Sequence, residues 1–120
     1  MAHTISYTNK GGEMPYSAIA TAKVTLDVSE ALVLEFGFHP SRVEIIMIDV
    51  TDGSANFMGV WIPSMTANHY IHVTQAGVIS EATSLGPVLY TAAGAGLGIT
   101  IPANQTGAAD NDVLYVTAFR

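Results

Sequence analysis

Apolar and polar residues alternate with a period of two along most of this chain, and that alternation predicts β-strands. Val24, Leu26 and Val28 alternate with Thr25 and Asp27; Leu32, Leu34 and Phe36 repeat the pattern with Glu35 facing out. Ser29-Glu30 between them suits a tight connection, so the two runs read as a hairpin. A short helix over 29–36 is the competing reading, because β-branched residues are few there. Arg42 to Val50 is different. Its Val43, Ile45, Ile46, Met47, Ile48 and Val50 put apolar side chains on both faces, as in a central strand covered on both sides. Asp52-Gly53 then supplies turn chemistry. Further strands are predicted over 57–62, 68–74, 78–80, 88–91, 97–101 and 113–119, separated by Gly, Pro, Asn and Asp. Short strands at this spacing predict an all-β fold, an antiparallel β-sandwich or barrel forming a single domain over 24–120.

Residues 1–23 have no sustained period, and the Gly11-Gly12 pair and Pro15 disfavour regular helix. They read either as a frayed terminus or as an extended N-terminal arm that orders on a neighbouring subunit. In the second case Ile5, Tyr7, Met14, Tyr16 and Ile19 are its partner contacts. The small residues of 92–96 read as a flexible loop, or as a place where another backbone comes close.

Composition changes the picture from a lone domain to a protomer. Hydrophobic residues make up 49% of the 120, and charged residues only 12%, about half the usual share. So little charge leaves apolar surface to be covered by partners. Between Val24 and Phe119 the one basic residue, Arg42, faces nine acidic ones. Such a body repels a phosphate backbone, which argues against nucleic acid as a partner. The apolar runs are far shorter than the roughly 20 residues that cross a bilayer, and the first residues lack a secretory pattern, so a soluble protein with no membrane partner is expected.

Candidate chemistry is thin. There is no cysteine. His69 and His72, three apart on a strand, face opposite sides and cannot share a metal. Asp49, Asp52, Asp110 and Asp112 lack the ligand spacing of a calcium loop and read as turn acids. No nucleophile elbow, phosphate loop or dinucleotide fingerprint is present. No catalytic residue, metal or cofactor is therefore expected.

The most specific stretch is Phe36-Gly37-Phe38-His39-Pro40-Ser41-Arg42-Val43. Gly37 permits a turn that a Cβ would crowd, Pro40 fixes φ before the strand, and Phe36 and Phe38 anchor the corner in the core. Arg42, alone in an acidic body, calls for a carboxylate. This Gly-Phe-x-Pro corner, the later Gly98-Ile99-Thr100-Ile101-Pro102 and the terminal Tyr115-Val116-Thr117-Ala118-Phe119 resemble small structural proteins of tailed bacteriophages, above all capsid decoration (cement) proteins. The resemblance covers roughly 32–120. It implies a virion protein, made in the host cytoplasm, that sits on the capsid exterior as a trimer and bridges the major capsid protein. On that view the N-terminal arm clamps the shell. The alternative within the same resemblance is a tail-fibre or receptor-binding module reading a host glycan through exposed aromatics such as Trp61, Tyr70 or Tyr90.

Overall fold

A computed structural model of the chain describes residues 3–8, 19–91, 97–105 and 108–120. Its strands are β1 (Thr4–Thr8), β2 (Ile19–Thr25), β3 (Leu32–Glu35), β4 (Arg42–Ile48), β5 (Ala55–Trp61), β6 (Tyr70–Thr74), β7 (Ile79–Ala82), β8 (Val88–Thr91), β9 (Leu97–Ile101) and β10 (Val113–Phe119). There is no helix among the described residues. Seven strands form one antiparallel sheet in the order β1-β2-β10-β4-β5-β6-β7, and three form a second in the order β3-β9-β8. The sheets do not close into a barrel. The fold is a β-sandwich.

Alternation decides which side chains meet between the layers. Val24 of β2, Leu114 and Val116 of β10, and Val43, Ile45 and Met47 of β4 all turn inward. They join Leu32, Leu34, Ile99 and Ile101 of the smaller sheet in one buried cluster. The Gly37 corner carries the chain from the small sheet to the large one. Gly37 has φ 84°, and the N–H groups of Phe36 and Gly37 both donate to the Leu97 carbonyl, at 2.9 and 3.0 Å. Phe36 and Phe38 are buried with ring centroids 6.1 Å apart, and Pro40 is buried beside them. Gly98 lies against the neighbouring backbone: a Cβ there would stand 1.8 Å from the Leu34 carbonyl oxygen.

Three expectations change. Val24–Val28 and Leu32–Phe36 do not pair as a hairpin, because β2 and β3 belong to different sheets. Asp27 folds the crossing: its Oδ1 accepts from the Ser29 N–H at 3.1 Å and the Ser29 hydroxyl at 2.6 Å. β4 is central, between β10 and β5, but this chain covers only one of its faces. Val43, Ile45 and Met47 are buried while Ile46 keeps 37% of its surface. Finally, the domain does not begin at residue 24. Residues 4–8 and 19–23 are strands of the large sheet, with Ile5 opposite Val24 and Tyr7 opposite Ala22. Ala20 and Ala22 are fully inside. They carry the inward pattern of β2, but alanine is too small to announce a buried position in sequence. Residues 9–18 and 92–96, with the readings placed on them, lie outside the described residues.

Candidate interaction surface

The outward residues of the large sheet fall into rows that run across the strands. Strand pairing puts Ile79 beside Val73, Val73 beside Met58, Met58 beside Ile46 and Ile46 beside Tyr115. One apolar ladder thus crosses β7, β6, β5, β4 and β10. Ile79 is 70% exposed, Met58 52% and Tyr115 45%. The next row adds Ile71 and Val60 before it turns polar at Glu44 and Thr117. A shallow groove of about 210 Å³ runs between the rows, lined by Ile46, Met58, Val60, Ile71, Val73 and Tyr115 among others. Lys23 follows Tyr115 in the ladder, its Nζ 6.0 Å from the centre of that ring. Beyond it the outer face of β2 and β1 is made of Thr21, Thr25, Thr4, Ser6 and Thr8, with Ile19 at its end beside Phe119.

Charge is sorted along the strands. All five aspartates lie in connections at one end, and each accepts from backbone N–H groups, Asp27 and Asp52 from a serine hydroxyl as well. Asp52 Oδ1 takes the Ser54 hydroxyl and N–H, Asp49 the Thr51 N–H, Asp110 the Val28 N–H, and Asp112 the Val50 and Ala109 N–H groups. The Ser54 hydroxyl, then its N–H, holds the Asp52 carboxyl below the ordinary 3.8. The Ser29 hydroxyl does the same for Asp27, against the opposing effect of burial. The other end carries the arginines, with Arg42 over Phe119 (5.5 Å) and Arg120 over Phe38 (5.2 Å). Arg42 is also ion-paired with Glu44, two residues along the same strand face.

Of the proposed arm contacts, Ile5 and Tyr7 are spent inside the chain. Both pack on the core. Tyr7 sets its ring edge-on to Phe36 and accepts the Glu35 N–H at 3.0 Å; burial pushes its hydroxyl pKa up. Ile19 is outward, 42% exposed beside Phe119. Met14 and Tyr16 lie outside the described residues. Among the corner residues, Phe36, Phe38 and Pro40 are interior and Arg42 is on the surface. Trp61 and Tyr70, offered as a sugar platform, are buried at 2% and 3% exposure. The Tyr70 ring covers Gly59, whose missing Cβ would come within 3.0 Å of it.

Histidines are engaged locally. His69 Nδ1 meets Glu81 at 3.1 Å, and His72 lies against Phe57 and Tyr70. Among the described residues no group of three His, Cys, Asp or Glu is placed to hold a metal, and no helix is long and apolar enough to cross a membrane. Sequence reading missed the ladder. Its signal is the two-faced run of β4, which reads as a strand covered on both sides but does not say by what. No protein-family model, curated protein or solved structure matches the chain.

Proposed function

We propose that this chain is a bacteriophage capsid decoration protein that binds the outside of the head shell as a homo-oligomer, a trimer, and stabilises it through contacts with the major capsid protein. The observation that carries the reading is the aliphatic ladder on the outside of an already complete sandwich. A soluble domain gains nothing from leaving such a row in water. A structural subunit gains an interface, at about 25 cal/mol per Å² of apolar area covered. The sequence resemblance to phage structural proteins and the low charge content point the same way. Repetition over a shell multiplies modest contacts into resistance to internal pressure. The role carries no catalytic step and requires no cofactor or nucleic acid.

Arm deletion is not a clean probe of shell binding. Removing residues 1–23 takes β1 and most of β2 and bares the edge of β10. The better experiment mixes the intact chain with expanded head shells stripped of it and follows co-sedimentation and shell melting. Saturable uptake at a fixed number of copies per shell, with a raised melting temperature, is the expected result. Shells that neither bind the chain nor gain stability would refute the assignment.

A further inference from the structure

The two layers are unequal, seven strands against three, and the small layer ends at β8 with no strand beyond it. Among the described residues no other segment bonds to the outer edge of β8. What lies beneath that edge sets it apart from the other free ones. On β3 the inward Leu32 and Leu34 are wholly buried, and on β1 the inward Ile5 and Tyr7 pack on the core. β7 turns only Ser80 and Ala82 inward, opposite His72 and Tyr70. β8 instead turns a leucine inward and leaves it uncovered. Leu89 pairs with Ile99, so both point between the layers; Ile99 is fully buried, yet Leu89 keeps 42% of its surface. Leu97, on the same side of β9, keeps 37%. Beside Leu89 the layers part in a cleft of about 170 Å³, walled by Trp61, Pro63 and Met65 from one side and Pro87 and Val88 from the other.

Two properties decide what fits there. Every second residue of an edge strand turns its N–H and C=O outward, and a further strand answers that row group for group. Val88-Leu89-Tyr90-Thr91 carries neither the charge nor the proline that ordinarily guards a free edge. Electrostatics then selects the side chains. Between Asp52 and Asp110 the one Asp, Glu, Lys or Arg is Glu81, and it sits on β7, not in the cleft. In a chain of net charge −6 the cleft is a neutral strip. A charged side chain would lose its water there without gaining a counter-charge, whereas an aliphatic one opposite Leu89 completes the layer.

We propose that the β8 edge is a peptide-docking site. An extended, uncharged segment of a partner protein pairs with β8 as a fourth strand of the small sheet, and its alternate aliphatic side chains enter the cleft beside Leu89. The site is on the other layer from the apolar ladder, and it does not rest on the function proposed above.

The probe is a short capped peptide of alternating threonine and valine. Trp61, the chain's single tryptophan, lines the cleft and reports on it. Titration of the intact chain should give a saturable change in Trp61 fluorescence, with slowed amide exchange at 88–90 and none at β1, β3 or β7. The same peptide with aspartate at the valines, or N-methylated at alternate amides, should bind roughly tenfold more weakly or worse. Leu89→Asp, at an exposed position, should weaken the parent peptide to a similar degree, while Ile79→Asp, on the ladder, should leave its binding unchanged. Circular dichroism checks folding, and the altered peptides serve as the test on the unaltered chain if Leu89→Asp misfolds. No saturable binding, protection at a different edge, or equal binding of the three peptides would overturn the proposal. Each of those outcomes leaves shell decoration untouched, because decoration is read from the opposite layer.

Discussion

The two halves of one sheet face are dressed differently. On β1 and β2 the outward positions are Thr4, Ser6, Thr8, Thr21 and Thr25, with Lys23 among them and Ile19 at the end; on β4 to β7 most are aliphatic, Ile46, Met58, Val60, Ile71, Val73 and Ile79, with the charges of Arg42, Glu44 and Glu81 toward one side. Threonine, valine and isoleucine are all β-branched and sit equally well on a pleated surface. Strand formation therefore does not require aliphatic residues on an outward face. The hydroxyl half shows what this sheet looks like where water is its neighbour. The aliphatic half is dressed as a face to be covered would be.

That contrast can be broken or sharpened by substitution. The largest effect belongs to the inward side of the same strand. Ile45→Ala, at a position 4% exposed, should cost about 2–5 kcal/mol in urea unfolding. Ile46→Thr, one residue along, should cost less than about 1 kcal/mol in the dilute monomer. Equal losses would mean that the outer face is not free. Next comes Tyr7→Phe, which strips the Glu35 N–H of its acceptor. A loss of about 1 kcal/mol, with faster hydrogen exchange confined to β1 and β3, is expected. A change spread evenly over the sheet would show that β1 is not held by this bond.

Redressing the ladder as the other half is dressed is the sharper experiment. Ile46, Met58, Val73 and Ile79 all changed to Thr should leave a folded chain with little change in melting temperature when dilute, yet abolish its concentration-dependent sedimentation. If association survives, the ladder is not what drives it.

The smallest effect concerns acid. The carboxyls of Asp27 and Asp52 are held below 3.8 by Ser29 and Ser54, so the folded state binds their protons less readily than the unfolded chain does. Their contribution is complete above pH 3.8 and is lost as the pH falls below it. Asp27→Asn should flatten that part of the stability curve.

Much of this architecture could be read in advance. Alternating or continuous apolar runs bounded by turn residues located β3 to β10, and Gly37 and Pro40 marked the corner before β4, since these signals are local. β1 and the part of β2 before Val24 were missed because Ala20, Ala22 and the Thr/Ser positions carry little hydrophobic contrast. The interaction surface was legible only as an excess, a strand apolar on both sides in a chain short of charge. Its residues come from β4, β5, β6, β7 and β10, and no local pattern says which strands will be neighbours.

The sequence by itself determined the strand class, the turn positions and the shortage of ionic side chains, all of which follow from residue type and spacing. Only the tertiary structure decided that Tyr7 and Trp61 face inward and that Ile79 lies at an open margin. It also decided that five strands bring their spare apolar residues into one row. Register and strand order are cooperative choices, made by burying one face of every strand at once, and the composition of the other face becomes a surface only after they are made.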